Sequence, residues 1–182
     1  SVYGMNDVTH LGLQDIPMLS NIPNLVYLAP TRKEEYLAML DWALDQNGHP
    51  VAIKIPGGEM ISDGKTCAID FANVNRYEVT KKGSRVAILG VGTFHSLANE
   101  TAEALKEKGI DATVIKPYCI SGLDTELLED LKKEHTVVVT AEDGFIEGGF
   151  GAKVASFYGN SDVKVLNYGV KKEFVDRYDV NE

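Results

Sequence analysis

Cysteine is nearly absent from the chain: Cys67 and Cys119 are the only two among 182 residues. They lie far apart and offer neither a metal-ligand spacing nor a disulfide framework, so the reading is two idle thiols in a cytoplasmic protein. No apolar run approaches the ~20 residues that a membrane-spanning helix requires, and no signal peptide is recognisable. Positive charge is scarce as well. Lys and Arg number 18 against 27 Asp and Glu, for a formal net charge of -9 spread along the chain. A nucleic-acid partner needs clustered Lys and Arg for its phosphates, and no basic stripe with interleaved aromatics occurs. What is present is ordinary: 44% hydrophobic and 25% charged residues, the balance of a globular protein with a core. The length suits one domain, or a partial domain followed by a small complete one. The chain opens at Ser1 without a methionine and runs at once into a motif-like loop, the start expected of an interior cut.

The segment from Asn24 to Pro30 reads as a buried strand closed by proline. From Thr31 to Gln46 the residues Tyr36, Leu37, Met39, Leu40, Ala43 and Leu44 recur at helical spacing, which predicts an amphipathic helix. Thr31 with Glu34 has the form of a capping box at its start. Asn47-Gly48 ends it, and Val51 to Ile55 reads as a short strand. This is half of an α/β unit, and its sheet lacks partners unless something upstream covers the edge. Residues 59–83 read as a linker with a short extended stretch around Tyr77 to Thr80.

Beyond the linker the pattern turns regular. Strands are expected at Arg85 to Leu89, Ala112 to Ile115, Thr136 to Thr140 and Val163 to Asn167. Helices are expected at Thr93 to Lys108, at Asp124 to Lys133 with Asp124 as its cap, and at Gly149 to Tyr158. Alternating strands and helices predict a parallel sheet covered on both faces. There is no internal repeat.

The most informative stretch for chemistry runs from Gly4 to Gly12. It is a glycine-bounded polar loop that carries His10 and precedes an apolar helix. Imidazole can donate, accept or carry a proton near neutral pH, so His10 suits a ligand pocket. Considered alone, a loop histidine is more often only a surface residue. The context decides more. Asp15-Ile-Pro17, Ile22-Pro-Asn-Leu25, Ala29-Pro30 and the run from His49 to Gly58 follow the loop in one order. Downstream come Asp111-Ala-Thr-Val-Ile115, Leu123-Asp124, Val139-Thr-Ala-Glu-Asp143, Gly148-Gly-Phe-Gly151 and Val165-Leu-Asn-Tyr-Gly169.

In that order these pieces resemble the C-terminal portion of the 1-deoxy-D-xylulose-5-phosphate synthase and transketolase family, over nearly the whole chain. The resemblance implies the second half of a pyrimidine-binding domain at 1–58, the linker at 59–83, and a transketolase C-terminal domain with a mainly parallel sheet at 84–182. It implies a thiamine-diphosphate transferase that decarboxylates pyruvate and joins the two-carbon unit to glyceraldehyde 3-phosphate. His10 then corresponds to the family histidine that hydrogen-bonds the donor carbonyl oxygen or a substrate hydroxyl, and Asn6, Asp7 and Thr9 line the substrate. The magnesium site and the glutamate that activates the cofactor have no counterpart in this chain. Thiamine diphosphate and magnesium are thus expected in the complete enzyme and not on this chain alone. The implied partners are pyruvate, an aldehyde, a missing N-terminal portion or subunit, and a second copy in a homodimer. The stop at Glu182, where family members continue into a helix, is likewise expected of a truncated chain.

Several positions depart from the family pattern. Asn6-Asp7 stands where the loop has Asp-Gly. Gly57 stands in place of an arginine that holds the acceptor phosphate, and glycine supplies no charge clamp. Tyr118 replaces a further arginine, Ser121-Gly122 replaces Lys-Pro, and Lys171-Lys172 replaces Pro-Asp. Lys54 is the nearest upstream cation able to compensate, or it points to solvent. A different acceptor is therefore one alternative, and a non-catalytic dimerisation or regulatory module is another. Gly90-Val-Gly92-Thr93 reads as a tight strand-to-helix turn rather than a phosphate loop, since position 95 is His95 and not a third glycine. Glu142-Asp143 has the look of paired carboxylates, but the resemblance implies a segment of packing and subunit contact, and Trp42 reads as a packing residue. His49 and His135 follow helices, where they favour the helix dipole.

Overall fold

The computed structural model describes residues 11–56, 59–67 and 69–175. The first half contains the short helix α1 (Asp15–Leu19), strand β1 (Val26–Leu28), helix α2 (Lys33–Asp45) and strand β2 (Val51–Ile53). A 3₁₀ turn at Phe71–Asn73 leads into β3 (Glu78–Lys81). The second half is β4 (Arg85–Gly90), α3 (Phe94–Glu107), β5 (Thr113–Lys116), α4 (Thr125–Leu131), β6 (His135–Phe145), α5 (Phe150–Tyr158) and β7 (Lys164–Val170).

The second sheet has the order β3-β5-β4-β6-β7. Pairings from β5 to β7 are parallel, and β3 adds antiparallel to β5 at one edge. Within the parallel part the first strand, β4, lies between the second and the third, which is a doubly wound arrangement. The period of two along β4 divides the core, as strand geometry requires. Ala87 and Leu89 face the cluster that holds Leu128, Leu131, Phe150, Val154 and Tyr158 from α4 and α5. Ile88 faces Ala98 and Ala102 of α3. The fold class expected from the sequence is the one observed, and the extended stretch near Tyr77 to Thr80 is the edge strand β3.

The first half shares its core with the second: Val26, Leu28 and Met39 form a cluster that is closed by Tyr118 and Cys119. Ile16, Tyr27 and Ala29 belong to the same buried cluster as α4 and α5, and β1 and β2 pair parallel as a two-stranded sheet. The outer edge of β1 is covered from downstream rather than upstream: Ala29 N–H donates to Tyr118 O at 2.8 Å, and Ile120 N–H to Tyr27 O at 2.8 Å. Backbone groups on that edge are therefore paired and not left to solvent or aggregation. Lys153 Nζ adds a further tie, donating to Ser20 O and Ser121 O.

Two local expectations are corrected. The capping box at α2 is built one residue later, because Thr31 N–H and Oγ1 both donate to Glu35. Glu34 instead accepts from Ser62 Oγ and from Gly64 N–H. The apolar stripe is also narrower than its spacing suggests. Leu37 and Leu44 of α2 and Leu97 of α3 are exposed, while Glu35 and Met39 are fully buried. Asp124 does cap α4, accepting from Leu127 N–H at 3.1 Å, and its second oxygen accepts from Tyr77 N–H. Among the described residues no helix is long and apolar enough to cross a membrane.

Candidate functional site

His10, Asn6, Asp7 and Thr9 lie outside the described residues, as does Gly57. The chain is described from the point where it leaves that loop, and there it is pinned. Leu11, Leu13 and Ile16 are buried, and Phe145 N–H at the end of β6 donates to Leu13 O at 2.9 Å. Gly144 lets this contact close, since a Cβ there would stand 3.3 Å from Leu13 O. Leu13 and the start of α1 thus lie beside the carboxyl end of β6, close to where a doubly wound sheet offers its crevice.

That crevice holds a buried ion pair. Lys54, just past β2, lies 3.3 Å from Asp143 of β6, and both side chains are less than a tenth exposed. Neither Lys54 Nζ nor Asp143 Oδ1 has a hydrogen-bond partner. The pair lines a space about the size of one water molecule, together with Pro30, Pro56, Gly92 and Thr93. Lys54 therefore points inward and its charge is matched, so it is not a loose cation replacing the missing arginine. Tyr27 is nearby; burial, then the negative charges of Asp15 and Asp143, push its phenol well above the ordinary tyrosine range. The turn from β4 into α3 is tight: Phe94 and His95 N–H donate to Val91 O and Gly92 O. Gly90 is obligatory there, because a Cβ would meet Phe94 O at 2.6 Å.

Next to this turn a cleft of about 680 Å³ opens between α2, residues 59–65, β3, β5 and the start of α3. Its floor is a charge network that joins the two halves. Lys116 Nζ lies 2.8 Å from Glu35 and 3.2 Å from Glu78. Arg32 binds Glu35 through Nε at 2.9 Å and Asp63 through Nη1. Tyr118 donates its hydroxyl to Glu78. Burial works against the charge on Glu35, yet Lys116, the Thr31 amide and Arg32 hold its pKa below the usual carboxylate range. His95 lines the same cleft, and burial, then the Lys116 charge, push it down to about 4.

Of the other sequence features, Glu142 is a buried acceptor for the N-terminus of α5. Its two oxygens take Phe150 N–H and Gly151 N–H at 2.8 Å each. Burial outweighs these donors and raises its pKa to about 7. Trp42 stacks on Phe71 with ring centroids 5.3 Å apart. His135 is a satisfied core histidine, its ring nitrogens 3.1 Å from Leu131 O at the end of α4 and 2.8 Å from Thr113 Oγ1. Both cysteines are free thiols. Sequence reasoning did not find Glu35, Glu78 or the role of Lys116. The one signal for Glu35 was its place four residues before Met39, on the buried stripe of α2.

Fold and site together define a two-part α/β protein: a doubly wound C-terminal half latched to a partial α/β unit, with a polar cleft between them. A family model for the transketolase C-terminal domain matches residues 75–181, and the chain belongs to that family. The chain is 34% identical to the 1-deoxy-D-xylulose-5-phosphate synthase of Clostridium tetani over 181 residues, which is 98% of this chain and 29% of that protein. It is 37% identical to the synthase of Symbiobacterium thermophilum over 170 residues, 92% of this chain and 26% of that one. The chain thus spans under a third of the length of these relatives. Among solved structures it resembles a chain described as a split gene transketolase, inactive beta4 tetramer. The TM-score is 0.78 at 26% identity, covering 93% of this chain and 56% of that one.

Proposed function

We propose that this chain is the part of a thiamine-diphosphate-dependent transferase that carries the His10 loop and the C-terminal domain. The transferase is of the 1-deoxy-D-xylulose-5-phosphate synthase type, decarboxylating pyruvate and joining the remaining two-carbon unit to an aldehyde. The observation that carries this reading is the collinear similarity to such synthases along 98% of the chain. Thiamine diphosphate supplies the carbanion chemistry when bound. His10 hydrogen-bonds the donor carbonyl oxygen or a substrate hydroxyl, and Asn6, Asp7 and Thr9 line the substrate. Among the described residues no group of three His, Cys, Asp or Glu is placed to hold a metal, and none of them is assigned to magnesium. In this reading the metal and diphosphate belong to a missing N-terminal portion or a separate subunit, and the chain is inactive alone. The domain division at 1–58, 59–83 and 84–182, a homodimeric assembly and a cytoplasmic location belong to the same proposal.

A second reading, two-carbon transfer to a different acceptor, is favoured by the matched charge of Lys54, which is bound to Asp143 and leaves glycine 57 uncompensated. Both are tested by combining the purified chain with the magnesium- and diphosphate-binding portion, thiamine diphosphate, pyruvate and a set of aldehydes. Carbon dioxide release with a carboligation product supports the transferase, and the aldehyde consumed separates the two readings. His10→Ala is expected to lower kcat by about 100-fold or more. Association of the two portions without any turnover would leave the dimerisation module as the function.

A further inference from the structure

The cleft between the halves is large enough for a small-molecule ligand, since such sites run from roughly 300 to 1,000 Å³. Its lining is unusual in its charge balance. Three cations, Arg32, Lys65 and Lys116, face three carboxylates, Glu59, Asp63 and Glu78, and Glu35 stands directly behind Lys116. Every one of those cations already lies within 4 Å of a carboxylate: Arg32 with Glu35 and Asp63, Lys65 with Asp63, and Lys116 with Glu35 and Glu78. With Glu35 counted, carboxylates outnumber cations by one. The rest of the polar lining is neutral. It includes the hydroxyls of Thr80, Thr93 and Ser96 and the amide of Asn99. His95 also lines it, and its Nδ1 is buried without a hydrogen-bond partner.

We propose that this cleft binds an uncharged polyhydroxy compound and discriminates against phosphate esters. Entering phosphate must shed water beside carboxylates and, among the described lining residues, finds no cation whose charge is unmatched, which is costly in a partly enclosed site. Hydroxyl groups meet no such cost. Thr80 and Ser96 already donate to Val114 O and Thr93 O and so offer acceptors. The Thr93 hydroxyl and the second amide hydrogen of Asn99 can donate, and a ligand hydroxyl can meet either kind. The inference needs no step of the thiamine chemistry and stands or falls apart from the transferase reading.

The test is a backbone amide NMR titration of the 182-residue chain in phosphate-free buffer. The probes are glycerol, erythritol, ribitol and glucitol, against inorganic phosphate and glycerol 3-phosphate. At least one polyol is expected to shift the Thr93, His95, Ser96 and Asn99 amides saturably, while both phosphates leave them in place at equal concentration. Freeing the cations reverses the preference: D63N/E78Q is expected to bind phosphate about tenfold or more tightly than the parent, a change of ~1.4 kcal/mol. Glu78 lies on the edge strand and both carboxylates are part-exposed, and E78Q alone serves if the double variant does not fold. Phosphate shifting those amides in the parent at or below the polyol concentration overturns the proposal, as does the absence of any polyol shift.

Discussion

Replacing Lys116 by methionine isolates the buried network, because the new side chain keeps the apolar stem and loses only the ammonium group. Glu35 is fully buried and receives four donors: Lys116 Nζ at 2.8 Å, Arg32 Nε at 2.9 Å, Thr31 N–H at 2.8 Å and Thr31 Oγ1 at 2.9 Å. Loss of Lys116 removes one charged donor from Glu35 and brings Glu35 and Glu78 together with Arg32 as the remaining cation. Breaking a buried pair from one side costs ~3–5 kcal/mol. Since Arg32 and Thr31 still hold Glu35, the expected loss is about 3 kcal/mol at pH 7, the low end of that range. The pH dependence supplies the sharper check. Glu35 titrates below its ordinary value of 4.5, so its contribution is present above that pH and is lost as pH falls through the folded value. The deficit of K116M is therefore widest at pH 7 and narrows in acid. Adding E35Q removes the stranded charge, and K116M/E35Q is expected to recover about 2 kcal/mol of the loss. Urea unfolding between pH 3.5 and 7, with the slope unchanged between variants, reads each quantity. A deficit under about 1 kcal/mol at pH 7, the value of an exposed pair, or one equally large in acid, refutes the network as drawn.

Three further outcomes follow from the same structure. Lys54→Met removes the cation 3.3 Å from buried Asp143 and is expected to cost ~3–5 kcal/mol in urea unfolding, while K54M/D143L recovers most of it; additive effects would break the assignment of the pair. Glu142 is raised from 4.5 to about 7, so the folded state holds its proton where the unfolded chain has lost it. Its contribution therefore falls as pH rises through that window, by about 3 kcal/mol, and an unchanged pH slope in E142Q would exclude it. For His95, lowered from 6.5 to about 4, the ring resonances should stay fixed between pH 5 and 8 in an NMR titration. A midpoint above 6 would place the ring in water rather than in the cleft wall.

The second half of the molecule was largely legible because its signals are local. The continuous apolar run along β4, the run of β-branched residues in β6 and the Asp124 cap each lie within a few residues of what they decide. Strand positions, helix positions and a mainly parallel sheet covered on both faces followed from them, while the strand order came from the structure. The order of motifs from Gly4 to Gly169 likewise carried the family. The expected site loop around His10 falls outside the described residues, so its geometry adds nothing to the sequence reading.

What the tertiary structure alone decided are the partners of charged and edge groups. Nothing near Lys54 in sequence distinguishes a solvent-facing lysine from one bound to Asp143, 89 positions along the chain. Glu35 looked like one more acid in the first turn of α2, yet its main partner, Lys116, arrives on β5. Leu37 and Leu44 satisfied the helical period and are nonetheless exposed, because the period fixes a stripe and only the packed neighbour fixes its width. The first sheet was expected to lack partners unless something upstream covered its edge, and on its β1 side it is paired with residues 118–120. In each case the sequence by itself determined the element, since backbone hydrogen bonds and side-chain period act over a few residues. The fold determined the partner, since desolvation and charge pairing are set by whatever the packed chain brings within a few ångströms.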